Sequence, residues 1–336
     1  MKIDIFAHIL PTKYKEALVK KLPSATYRTY QVRQEGFTAL TDLESRFRIM
    51  DKHDDLVQVL TLTTPFVERV AERKDAIELA KRGNDELAEL VEKYPDRFVA
   101  AIGNLPMNDV DAALAEVDRI VNELHFRGIQ ICTDINGKPL DAAEFMSLYE
   151  KLEKYNLPIL LHPSRLSTTP DYSTEDTSKY EIHSIFGWPY DTSAAMTRLV
   201  FGHVLQKYPN LKFITHHCGA MIPYFEQRIS SFCNFREMRG KGQFDYFQGF
   251  TKSPLEYLKM FYADTALNGS TPGLMCGYAF FGADHVLFGT DMPFDSQNGH
   301  LVVKVTIKSI EQMEILDSEK KKIFEDNAKT VLRLPI

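Results

Sequence analysis

Lys2-Ile3-Asp4-Ile5-Phe6-Ala7-His8 is the first apolar, β-branched run of the chain, and it ends on a histidine. Its composition predicts a strand, along which side chains alternate faces, so Asp4, Phe6 and His8 are expected to share one face. No glycine-rich phosphate loop follows it, which argues against an open doubly wound sheet built to bind a dinucleotide. The run is also the first of eight.

Working outward, the others are LVQVLTLTT (56–64), FVAAIGNLP (98–106), RGIQICTDI (127–135), LPILLHP (157–163), LKFITHHCG (211–219), MFYADTA (260–266) and HVLFGTDMPF (285–294). Between them lie segments of helical period: LESRFRIMDKHD, ERKDAIELAKRGNDELAELVEKY, DVDAALAEVDRIVNELH, DAAEFMSLYEKLEKY and TSAAMTRLVFGHVLQKY. Strands alternating with helices predict an α/β protein with a parallel sheet, and eight such units predict a closed (β/α)8 TIM barrel spanning 1–336 as a single domain. The stretch RLSTTPDYSTEDTSKYEIHSIFGWPYD (165–191) is polar and turn-rich, too long for an ordinary connection. It is expected to form a lid-like insertion over about 165–190, carrying Trp188 and Tyr190, with the next helix starting near Thr192. A mobile surface insertion is the plainer alternative.

The 336 residues carry a formal net charge of -6 with no basic cluster, which argues against nucleic acid as a partner and for a small molecule. No apolar run reaches the roughly 18 residues of a membrane span. Cys132, Cys218, Cys233 and Cys276 are far apart, without the spacing of a disulfide framework or a structural zinc site, and a reducing cytoplasm is expected.

The strand ends carry the chemistry. His8 ends the first strand, His162 the fifth, His216 and His217 the sixth, and Asp291 the eighth. In a barrel these C-terminal ends converge on one pocket. Imidazole and carboxylate suit zinc and related divalent ions, and a catalytic site needs about three protein ligands plus an open position. One metal is expected. Adjacent strand residues alternate, so His216 is expected to face away from His217, as a packing residue or one that supports a ligand from behind.

In MKID-x-x-x-HILP, LLHP, HHCGAMIPYFEQRI, FYADTA, VLFGTDMPF and FEDNAKTVLRL the chain resembles the amidohydrolase superfamily, in particular its branch of mononuclear decarboxylases and related hydrolases. The resemblance covers nearly the whole chain. It implies a metal, zinc or manganese, held by the first-strand motif, His162 and Asp291, with His217 as the catalytic base beside it and Asp291 also able to transfer a proton. It further implies that Arg228 reaches a substrate carboxylate, often in the neighbouring subunit, and hence a homodimer.

Phe6 departs from that pattern, since the family's first strand usually reads H-x-H, or E-x-H in the aromatic acid decarboxylases. Three readings follow: His8, His162 and Asp291 suffice with waters; Asp4 substitutes; or metal binding is weak or lost. The first is preferred, with Asp4 as a supporting carboxylate. Members with two metals carry a bridging lysine at the end of strand 4, and RGIQICTDI has none, which points away from two-metal hydrolysis.

Arg228, Arg165 and Arg33, the last in the loop after the first helix and equally readable as a solvated surface arginine, are the candidate cations for an acidic substrate, because guanidinium pairs bidentately with carboxylate. Trp188 and Tyr190 are candidates to stack on a planar substrate. The leading expectation is a mononuclear metal-dependent decarboxylase of a small unsaturated or aromatic carboxylic acid. The alternatives are a hydrolase or hydratase of a lactone, amide or double bond, and a barrel that binds a ligand without catalysis.

Overall fold

The computed structural model describes residues 1–238 and 249–336, without the side chains at 25, 26, 29, 32, 33 and 235–238. Seven parallel strands follow the expected order: β1 (Lys2–Ile9), β2 (Leu56–Leu62), β3 (Phe98–Ala101, extended by Gly103–Asn104), β4 (Ile129–Cys132), β5 (Ile159–His162), β6 (Phe213–Thr215) and β7 (Tyr262–Ala263). The eighth segment, β8 (residues 286–292), is held by single parallel bridges, Val286 to Ala263 on one side and Met292 to Ala7 on the other. Backbone bonds from Leu287 N to Ala263 O (2.8 Å) and from Ile5 N to Phe288 O (3.0 Å) seat it between β7 and β1. The architecture is a (β/α)8 TIM barrel.

Ile3, Ile5, Phe6, Val59, Ala100, Ile102, Leu160, Ile214 and Leu287 form one buried cluster that fills the barrel, while a second, larger core packs the helices outside. No helix of the described residues is long and apolar enough to cross a membrane.

β1 does not alternate simply. Asp4 pairs with Gln58 but Ala7 pairs with Leu60, so three steps on β1 oppose two on β2: a β-bulge. The bulge sends both Ile5 and Phe6 into the barrel interior and leaves Asp4 turned away from Phe6 and His8, which corrects the expected shared face. Asp4 is fully committed there. It accepts hydrogen bonds from Phe6 N (3.2 Å), Thr290 N (3.0 Å) and Thr290 Oγ1 (2.6 Å), tying β1 to β8. It therefore acts as a brace and does not join the metal-ligand cluster. Arg46, also buried, braces the same rim by donating to His8 O (2.8 Å) and Gln58 Oε1 (2.8 Å).

Two further expectations change. The segment after β5 runs as turns to about residue 182, but a π-helical turn at His183–Gly187 then leads directly into the helix Trp188–Phe201. Trp188 and Tyr190 thus sit in the first turn of a helix, several residues earlier than Thr192. Gly187 packs closely on Arg165, and a Cβ there would lie 2.3 Å from Arg165 Cδ and push that side chain aside. Arg33 belongs to the helix Ser24–Gln34, not to a loop, and its side chain lies outside the described residues.

Burial pushes the Asp4 carboxyl up from 3.8 to about 7, against the opposing hydrogen bonds from Thr290 and Phe6. A raised folded-state pKa means that the native chain holds a proton the unfolded chain releases, so this group's contribution is full below pH 4 and is lost as pH rises to about 7. Thermal melts across that window are expected to show wild type losing stability relative to Asp4→Asn as pH rises; parallel profiles would contradict the assignment.

Candidate metal centre

At the C-terminal mouth of the barrel, the donor atoms of His8, His162 and His216 lie within 4.8 Å of one another, and all three residues are buried. Asp291 Oδ1 is 3.1 Å from His8 Nε2 and 3.4 Å from His216 Nε2. His217 Nε2 is 3.8 Å from Asp291 Oδ2. Asp291 takes a left-handed backbone, φ 62°, which aims its carboxylate into the cluster.

Every imidazole in the triplet is held by its other nitrogen. His162 Nδ1–H donates to Pro163 O at 2.6 Å, which leaves Nε2 with the lone pair. Thr61 Oγ1 lies 3.0 Å from His8 Nδ1, and His216 Nδ1 meets the buried Asp264 carboxylate. Carboxylate, hydroxyl or carbonyl partners of this kind orient metal-ligating histidines. Asp264 is itself fixed by Cys218 N (3.0 Å) and Ala266 N (3.1 Å).

The residues fit a divalent ion. His8 Nε2 and His216 Nε2 are buried without a hydrogen-bond partner although Asp291 Oδ1 is close to both. Both nitrogens crowd one carboxylate oxygen without a well-aligned hydrogen bond to it, a spacing that ligands of one ion share. Electrostatics agree. Burial and the neighbouring His216 and His8 hold His162 well below the usual histidine range, so it is a neutral donor. Burial opposes charge on His216 too, but the Asp264 and Asp291 carboxylates outweigh it and push the group up to about 10. Asp291 is held well below the carboxylate range: burial opposes its charge, and the positive His216 wins. Without an ion that positive charge is a proton on His216, between Asp264 and Asp291; a bound cation would take its place and leave Nε2 with its lone pair. Burial, then His216, lowers His217.

Beside the donors opens a cavity of about 210 Å³. Phe66, Trp188 and Phe294 wall it, His162 and Asp291 lie at its metal end, and Arg69 and Arg165 supply guanidinium groups. Arg69 donates through Nη2 to Asp134 Oδ2 (2.5 Å) and Ser164 Oγ (2.7 Å), whereas Arg165 Nη1 is only 3.5 Å from Asp191 Oδ1. Trp188 is fixed by its Nε1–H bond to Arg165 O (3.0 Å), and its indole lies nearly parallel to the His217 ring, 16° apart in plane.

The structure therefore brings together His8, His162, His217, Asp291, Arg165 and Trp188. It leaves Arg228 exposed on the helix Glu226–Met238, where it lines a separate groove with Tyr190. Two functional candidates were not anticipated. His216 faces the centre rather than away: β6 ends at Thr215, His216 continues its extended course with Ile214's parity, and His217 (φ 54°) turns back so that the two rings stack 4.1 Å apart. Ile214 and His216 two residues apart carried that signal. Arg69 belongs to no motif, and only the fold brings its short helix, Val67–Val70, to the cavity.

The chain belongs to the amidohydrolase family, whose profile matches residues 3–334. It is 29% identical to a gamma-resorcylate decarboxylase of Rhizobium sp. (strain MTP-10005), with 87% of each chain covered. It is also 29% identical to a 2-amino-3-carboxymuconate-6-semialdehyde decarboxylase of Dictyostelium discoideum, over 87% of this chain and 77% of that one. Among solved structures, a dihydroxybenzoic acid decarboxylase from Polaromonas sp. JS666, with bound manganese and the inhibitor 2-nitroresorcinol, superposes with a TM-score of 0.79 at 28% identity, covering 99% of this chain and 96% of that one.

The loop bearing both histidines leans on the helix Thr271–Phe281, where a Cβ on Gly277 would lie 2.2 Å from Cys218 Sγ. Gly277→Ala is expected to destabilise the fold by about 1–3 kcal/mol through overpacking. A melting curve identical to wild type would show that this contact does not fix the loop.

Proposed function

We propose that this chain is a mononuclear metal-dependent decarboxylase, a non-oxidative carboxy-lyase acting on a small aromatic or unsaturated carboxylic acid. The observation that carries the reading is the join of the buried His8, His162 and His216 donors, with Asp291 Oδ1 3.1 Å from His8 Nε2, to a ring-sized cavity with aromatic walls and two guanidinium groups. The decarboxylase names of the relatives, and the manganese in the Polaromonas structure, support it. One divalent ion, zinc or manganese, suits such donors.

The bound ion supplies Lewis acidity toward the substrate's oxygen atoms. This chain's residues do the remainder. Phe66, Trp188 and Phe294 bury a planar ring and exclude water, and Arg165, loosely held by Asp191, is free to swing onto a substrate oxyanion. Decarboxylation needs a proton on the carbon that carries the carboxylate; once it arrives, the C–C bonding pair returns to the ring and CO2 leaves. His217 is the acid/base group for that transfer. Burial keeps it uncharged at neutral pH, so it takes up a proton from the substrate or a water and passes it on beside Asp291, which also takes part in the relay.

The same reading makes residues 1–336 one catalytic unit and places it in the cytoplasm, for which the four scattered cysteines are the support. It pairs two copies through the face that exposes Tyr190, Tyr224 and Phe232, with Arg228 serving the neighbouring cavity.

The test is CO2 release from a panel of hydroxybenzoates and muconate-like acids by the metal-loaded protein. Turnover of at least one acid is expected, with kcat reduced about 10²–10⁴-fold in His217→Ala. A silent panel alongside lactone hydrolysis that incorporates oxygen from labelled water would contradict the reading.

A further inference from the structure

Phe6 occupies the place on β1 where a second ligand two residues before His8 would stand, and it offers no donor atom. It is fully buried, and its ring stacks on His216 with centroids 4.2 Å apart and planes 24° apart. His216 is in turn covered on its other side by His217 at 4.1 Å. One edge of the imidazole is held by Asp264, and the other presents Nε2, buried and unpartnered, to the centre.

We infer that His216 is a metal ligand in this chain, taking over the donor position that Phe6 leaves empty, so that the ion is held by His8, His162, His216 and Asp291. The inference rests on the metal-dependent reading above. Neighbouring ligands at zinc bond lengths stand on the order of 3.3 Å from one another, and an ion held by four of them keeps an open position for substrate by expanding to five-coordinate. Asp291 Oδ1 meets that spacing with His8 Nε2 at 3.1 Å and with His216 Nε2 at 3.4 Å. His217 also groups with His216 and Asp291 as a candidate donor, but at 3.8 Å from the other carboxylate oxygen and with its ring against the cavity-lining Trp188 it is assigned to proton transfer instead. The Asp264–His216 pair has the arrangement of a carboxylate that orients a ligating histidine. Phe6 thus changes role: it backs the His216 ring and keeps its lone pair aimed at the ion.

The experiment measures zinc affinity by chelator competition, and the absorption of the cobalt-substituted protein, for wild type, His216→Ala, His217→Ala, His162→Ala and the double variant Phe6→His with His216→Ala. Removing an outer partner of a ligand costs about 10–100-fold in affinity, so His216→Ala is expected to lose more than about 100-fold and to alter the cobalt bands. His217→Ala is expected to keep both, and the double variant to regain most of the loss. X-ray absorption fine structure of zinc-loaded wild type, which needs no variant to fold, is expected to count three imidazoles. Two imidazoles, or wild-type affinity in His216→Ala while His162→Ala is empty, overturns the inference and leaves the decarboxylase reading standing. A wild type that binds no metal overturns that reading itself.

Discussion

The centre is organised by one requirement: the Asp291 carboxylate, on a left-handed backbone, faces the imidazoles of His8, His216 and His217 in a buried mouth. Such a constellation is stable only if charge is balanced, and a cation among the donors satisfies it. The surrounding structure serves that point. Asp4 ties β1 to β8 through Thr290, so His8 and Asp291 come from strands held in fixed register. Arg46 closes the same rim from the helical layer. Asp264 holds both His216 and the Cys218 amide, so one carboxylate positions the loop after β6.

Much of this was legible in the chain. Parallel strands buried on both faces read as continuous apolar runs, so all eight segments stand out, and barrel geometry alone then brings His8, His162 and Asp291 together. Local backbone departures were not legible. The bulge in β1 shifts parity between Asp4 and Ala7 without a glycine or proline to announce it. At His217 a positive φ places two adjacent histidines on the same side, which strict alternation forbids. The start of the helix at Trp188 was hidden because Pro189 and Gly187 read as turn residues, although proline suits a helix's first turn. Arg69 reaches the cavity only through tertiary structure, and no spacing rule points to it.

The cavity has the size and the walls to receive a small planar acid. Its volume of about 210 Å³ suits one substituted ring, and its walls are flat aromatic faces. Its two arginines differ in freedom: Arg69 is spent on Asp134 and Ser164, while Arg165 is weakly engaged by Asp191. A rigid guanidinium sets the shape of the site, and a looser one is available for ligand. Phe6 fits the same economy, since an apolar ring at the floor stacks on His216 where a charged ligand would add a further buried anion or imidazole.

All of these features meet in a single divalent ion where β1, β5, β6 and β8 come together. Anomalous diffraction from crystals of manganese-loaded protein tests it most directly. One peak bonded by His8, His162, His216 and Asp291 is the predicted result. No peak at the barrel mouth, or a peak that leaves His216 outside its coordination shell, would contradict it.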